Sequence, residues 1–357
     1  MREMLTLRPF VYRARQLARL SVRQIESVAA RIWQIAPPEE TQRPKAFFLP
    51  GQFERIMRFS DFSTSPAEER RSVEGTARVF HGATRGFLLR DAIVANGAVY
   101  CGGAVDFQVE RPGRVPLVWV GESHSHGALY STFGGNRYFG QWLIDDLVTY
   151  HLAKNEGIPF RLQRVLSPHA VAYESLLDMS PISVSGARFR ELVMFSDVGQ
   201  NQSKGERFDR NRRRLTANYP KTNHPGVFLL RGRSGVRRVL ENEMEIAHHL
   251  ERTRGFLVVD VMASDVPTIL RACAGAAVVT GIEGSHMVHA LMVMGAGRAL
   301  FTLQPPTRYC SILKDLTDRD GQHFAFVVGQ TKGDDFHIDP DEVERTLDLL
   351  PLAGRSP

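Results

Sequence analysis

The residues best suited to chemistry lie between Arg231 and Pro306. Arg231 and Arg237 stand in Leu229-Leu-Arg-Gly-Arg-Ser-Gly-Val-Arg-Arg238, an arginine-dense stretch at the end of an apolar run. Guanidinium groups hold phosphate oxygens through paired hydrogen bonds. Downstream, Val279-Thr-Gly-Ile-Glu-Gly-Ser-His-Met-Val-His carries Gly281 and Gly284 between a second apolar run and a segment with helical spacing. Strand, glycine loop and helix start together suit an anion: glycine lets the backbone approach, and unpaired N–H groups with the helix dipole favour negative charge. The expectation is a diphosphate held between the amides of Gly284, Ser285 and His286 and one or two of the arginines. His286 and His289 stand three apart behind Glu283, a spacing that could serve a metal. Such histidines more often cap or pack, and no metal is expected.

Regular elements must position these groups. From Val227 the pattern alternates: strand 227–230, helix 240–252, strand 256–261, helix 266–274, strand 276–280, helix 286–294, strand 299–303. Alternation of this kind predicts a parallel sheet with helices on both faces. Asp339 to Leu350 reads as a closing helix. Between residues 46 and 195, strands are expected at 86–89, 98–101, 115–120, 160–165 and 192–195, and helices at 138–154 and 169–177. Residues 199–223, polar and basic, read as a mobile connector. Asp318-Arg-Asp320 follows no strand and is expected on the surface.

The 357 residues are enough for two domains. The expected division is a basic N-terminal helix and connector over 1–45, an α/β domain over 46–200, and a Rossmann-like nucleotide-binding domain over 201–357. Composition is that of a soluble protein, 43% hydrophobic and 24% charged, with no apolar run of membrane-spanning length and no secretory signal. Cys101, Cys273 and Cys310 are too scattered for a disulfide framework. A cytoplasmic location is expected. Net charge is +6, and residues 1–36 hold seven arginines against two glutamates, a net +5. Leu17, Leu20, Ile25, Val28, Ile32 and Ile35 fall on one helical face there, so peripheral contact with an anionic membrane is one reading and a packed helix the other. No aromatic-basic interleaving points to nucleic acid.

Further segments carry a family resemblance: Arg237-Arg238 with Asn242-Glu243, Gly255-Phe256, the alanine-rich 272–279, Gly281-Ile-Glu-Gly-Ser-His-Met-Val-His-Ala-Leu and Pro305-Pro306. Residues 227–306 resemble the catalytic core of the family-61 glycosyltransferases. In the N-terminal half, Gly140-Gln-Trp-Leu-Ile-Asp145 resembles the family's Gly-His-Trp-Leu-hydrophobic-Asp/Glu run. The loop differs: the family's usual His-Gly-Ala is Glu283-Gly284-Ser285 here. The usual Asn-x-x-His before Trp142 is replaced by Tyr138 and Gln141.

The resemblance implies an α/β fold with two Rossmann-like halves facing a cleft, as in the GT-B architecture. It implies inverting, metal-independent transfer from a nucleotide sugar to a glycan or lipid-linked acceptor, in capsule, exopolysaccharide or other glycoconjugate assembly, with no cofactor. Arg231, Arg237, Glu243, Gly281, Glu283, Gly284, Ser285 and His286 would bind the nucleotide sugar. A carboxylate at Glu283 would be unfavourable beside a diphosphate unless it points at a sugar or ribose hydroxyl. Asp145 is the expected base, with His126, in a loop after a strand, as second candidate. A dinucleotide-dependent oxidoreductase is disfavoured because Gly-x-Gly-x-x-Gly is absent. A non-catalytic nucleotide- or polysaccharide-binding member is the other alternative.

Overall fold

The computed structural model describes residues 4–18, 23–63, 65–111, 117–217, 219, 223–233 and 235–351. The chain is α/β and divides into two compact units: residues 1–39 with 82–207, and residues 40–81 with 208–357. Residues 40–81, expected mostly in the first domain, therefore belong with the second.

The first unit holds β1 (Met4–Thr6), β2 (Arg31–Ala36), β3 (Thr84–Ala95), β4 (Ala98–Cys101), β5 (Ala104–Phe107), β6 (Val118–Val120), β7 (Glu122–Leu129), β8 (Pro159–Leu162), β9 (Ile182–Val184) and β10 (Gly186–Ser196). Its main sheet runs β9-β8-β7-β10-β3-β4-β5, with β2 also on β3. From β9 to β10 the pairs are parallel, and from β10 onward antiparallel. Leu89, Val94, Phe160 and Phe189 fill its core.

The second unit carries β11 (His224–Leu230), β12 (Leu257–Asp260), β13 (Ala276–Ile282), β14 (Ala299–Gln304) and β15 (His323–Val328). They form one parallel sheet in the order β12-β11-β13-β14-β15. Strands covered on both faces read as continuous apolar runs, and β14 is buried at every residue. Asp265 caps the helix Val266–Ala274 by accepting the Thr268 N–H, and Pro267 supplies a ready-made first turn. Phe228, Ile246, Leu250, Ile282 and Leu303 meet in its core.

Several expectations are corrected. Residues 1–36 are not one helix. Their described residues form β1, α1 (Arg8–Leu17), a 3₁₀ turn at Ile25–Val28 and β2. Ile32, Trp33 and Ile35 favour a strand, and β3 offers them a pairing edge. Leu20 lies outside the described residues. The supposed connector contains α2 (Gln202–Thr216). Its buried face is made largely of polar residues, Lys204, Arg207 and Asn211 beside Phe208 and Leu215, so hydrophobic periodicity hides it. The helix expected at 286–294 is a 3₁₀ turn, Ser285–Met287, followed by a four-residue α-turn. Gly281 lies inside β13, where a Cβ would meet the Leu229 carbonyl oxygen at 2.6 Å. Asp318 and Asp320 are largely buried and ion-paired, with Lys314 and Arg43, and with Arg212 and Arg319.

Candidate functional site

Counted along the chain, the second unit's strand order is 2-1-3-4-5. It reverses between β11 and β13, and ligands of open α/β sheets bind beyond the strands' carboxyl ends at such a point. Segments leaving β11, β13 and β14 converge there.

After β11, the Glu243 carboxylate accepts the N–H groups of Arg231 at 2.7 Å and Gly232 at 2.9 Å. Arg231 donates to the carbonyls of Val236 at 2.7 Å and Arg238 at 3.2 Å. These two residues therefore fold the segment 231–240. Burial, then the charge of Arg238, lowers the Arg231 pKa to about 10.

Arg238 is the guanidinium this fold turns inward. It is ion-paired with Glu283, whose Oε2 also accepts from Arg308 at 3.2 Å. Burial depresses the Arg238 pKa, and Glu283 opposes that shift. The carboxylate of Glu283 thus faces arginines, which explains how the loop tolerates it. A Cβ on Gly284 would lie 3.2 Å from His286 Nδ1, 3.3 Å from Arg231 Nε and 3.4 Å from Arg238 Nη2, so only glycine leaves that cradle open. His286 is buried in the same cluster. Burial, followed by the Arg231, His289 and Arg238 charges, drives its pKa well below the ordinary value, so the ring is neutral. Among the described residues, Arg238 Nε and His286 Nε2 are buried without a hydrogen-bond partner. Each such group costs about 1–3 kcal/mol, a penalty a polar ligand would relieve. Three arginines against Glu283 in the cradle leave net positive charge, suited to a diphosphate.

Of the residues expected to bind the nucleotide sugar, Arg231, Glu243, Glu283, Gly284 and His286 come together here. Ser285 is half-buried at the start of the 3₁₀ turn, and Gly281 serves strand packing. Arg237 does not join them. It is exposed and paired with Asp335 at 2.8 Å. Its neighbour Arg238 takes the inward position, and Arg308 was not foreseen. The one signal for Arg308 was its place just after an apolar parallel strand. Among the described residues, no group of three or more His, Cys, Asp or Glu is gathered as a metal would require.

The proton-transfer candidates lie in the first unit. Asp145 sits in a π-helical turn, Trp142–Asp146, and is ion-paired with the fully buried Lys204. His126 is on β7, not in a loop. Its Nε2 lies 2.7 Å from the Glu156 carbonyl oxygen and its Nδ1 3.8 Å from Glu191. The two have separate neighbours. Asp146, the neighbour of the expected base, was not chosen as a site residue. Its carboxyl accepts the Thr132 hydroxyl at 2.8 Å and packs against Gly135, and burial pushes its pKa up to about 8.

The Glycosyltransferase 61 family model matches residues 125–309, just over half of the chain. The chain belongs to glycosyltransferase family 61. The match spans the Asp145 turn and the whole switch-point cluster, including Arg308. Among curated proteins none matches. Among solved structures, the flavodiiron protein from Giardia intestinalis aligns over 47% of this chain at 11% identity, with a TM-score of 0.25. The alignment spans 43% of that protein's length, and so low a score carries no argument.

Proposed function

We propose that this glycosyltransferase-family chain transfers a sugar from a nucleotide sugar to a glycan or glycoconjugate acceptor, with inversion and without a metal ion. The observation that carries this reading is the cradle of Arg231, Arg238, Arg308, Gly284 and His286 at the switch point, positively charged and holding unpartnered buried polar atoms. Transfer generates a nucleoside diphosphate, and its charge must be stabilised as the glycosidic bond breaks. Arg238 and Arg308 would take the phosphate oxygens, with Arg231 and Glu243 holding the loop that aims Arg238. Glu283, displaced from the arginines by the phosphates, would turn to a sugar or ribose hydroxyl. The neutral His286 would accept or donate a hydrogen bond without adding charge. On a GT-B-like reading, the first unit would serve the acceptor, with Asp145 as base and His126 as second candidate. Asp145 is held in place by its ion pair with Lys204.

The test is turnover of a panel of nucleotide sugars in excess EDTA. Release of nucleoside diphosphate with chelator present is the expected result. Activity abolished by EDTA and restored by Mg²⁺ or Mn²⁺ would overturn the metal-independent mechanism, and no turnover of any donor would favour a non-catalytic binder.

A further inference from the structure

The first unit exposes an apolar surface that no part of the chemistry above uses. The β1–β6 ribbon pairs Leu5 with Trp119. Alternation sends Thr6, Val118 and Val120 inward, where the two valines join Ile93 and Tyr100. The opposite face carries Leu5, Leu117 and Trp119, exposed by 39%, 63% and 54%. The ribbon leads directly into α1, whose inner face buries Pro9 and Tyr12. Its outer face carries Phe10 and Leu17, with Leu7 preceding them at helical spacing. Leu7 and Leu17 are 64% and 72% exposed. Large apolar residues scattered singly need no explanation, but six on one ribbon face and the adjoining helix do.

Charge distinguishes the occupants. Helix α1 has arginines at 8, 13 and 15 and no acidic residue. Arg13 is exposed on the side of Phe10 and Leu17, and exposed Arg111 lies over the Tyr12 and Phe107 rings. Arg8 is answered by Asp91. Apolar and indole side chains bordered by arginines that meet no carboxylate among the described residues suit the boundary between anionic headgroups and acyl chains. No helix among the described residues is long and apolar enough to cross a membrane, so insertion would be shallow.

We propose that Leu7, Phe10 and Leu17 of the N-terminal helix and Leu5, Leu117 and Trp119 of the ribbon form one surface that seats the protein on an anionic lipid bilayer. This differs from the helical face expected from sequence, where Ile25 is in fact buried and Ile32 belongs to β2. The inference does not depend on the glycosyltransferase reading, and its failure would leave that reading standing.

The test is flotation of the full chain with vesicles of mixed phosphatidylglycerol and phosphatidylcholine. Wild type should float with them, less so as salt rises, and not with phosphatidylcholine alone. Tryptophan emission should shift to the blue on binding, and Trp119→Phe should float but lose the shift. The double variant Phe10→Ser/Leu17→Ser should lower the bound fraction at least tenfold with its thermal midpoint unchanged. Trp119→Ser offers the same reading on the ribbon should that pair misfold. Wild type that ignores anionic vesicles, or floats as well with these residues changed, would overturn the proposal. So would a wild-type dimer in sedimentation that the same changes dissociate, which would make the surface a protein interface.

Discussion

Two of this molecule's clusters of buried charge are built on opposite principles. In the first unit, Asp197 accepts the hydroxyls of Thr84 and Thr149, both at 2.9 Å, and both terminal nitrogens of Arg207 at 2.6 and 2.9 Å. Lys204 donates to the Asp197 carbonyl at 2.8 Å and pairs with Asp145. Each charge there has its counterpart. At the switch point of the second unit, Arg238 and Arg308 share Glu283 with Arg231 close by, and among the described residues Arg238 Nε and His286 Nε2 have no partner. A closed network holds the fold in place, whereas an open one costs stability and persists where a ligand completes it.

The largest expected effect breaks the closed network. Arg207→Met leaves Asp197 buried with its main partner gone and should destabilise the protein by about 3–5 kcal/mol, read by urea unfolding. Burial alone would raise the Asp197 pKa, but Arg207 and Lys204 hold it below the ordinary value. Its contribution is therefore present above the ordinary carboxylate pKa and is lost as pH falls below it through the depressed folded value, and the variant should lose this acid sensitivity.

Next come the adjacent arginines. Arg238→Ala should weaken nucleoside-diphosphate binding by about 10- to 100-fold, on the scale of a lost charged hydrogen bond, while Arg237→Ala should change it less than about twofold. Equal losses by calorimetry would mean that the inward and outward positions do not differ in function. The smallest effect has the least obvious sign. Glu283→Gln removes the counter-ion that competes with phosphate, so affinity should rise by about fivefold, or roughly 1 kcal/mol, while the thermal midpoint falls. Weaker binding in that variant would mean that the carboxylate's contact with a sugar or ribose hydroxyl outweighs its competition with phosphate.

What the residues disclosed in advance follows from which forces leave a linear trace. The parallel sheet was legible because strands buried on both faces are continuous apolar runs, as in Ala276–Ile282 and Ala299–Gln304. His323–Val328 is such a run too, but no helix–strand alternation flagged it. Helix α2 was missed because its buried face is held by ion pairs instead of hydrophobic contact. Arg231 and the Gly284 loop could be placed at strand ends from pattern alone. The exchange of Arg237 for Arg238 could not, because the backbone between them is turned by hydrogen bonds from Arg231 and to Glu243. Asp146 depends on Thr132 and Gly135, which are distant enough in sequence to leave no local spacing.

The central claim is that the open arginine cradle is where a nucleoside diphosphate binds. A crystal structure of the protein soaked with nucleoside diphosphate tests it most directly. The account predicts phosphate oxygens within hydrogen-bond distance of Arg238 and Arg308 beside Gly284, with Glu283 withdrawn from both arginines. Phosphates bound instead in the 420 Å³ hollow lined by Arg43, Arg71 and Arg78, with the Arg238–Glu283–Arg308 cluster unchanged, would contradict it.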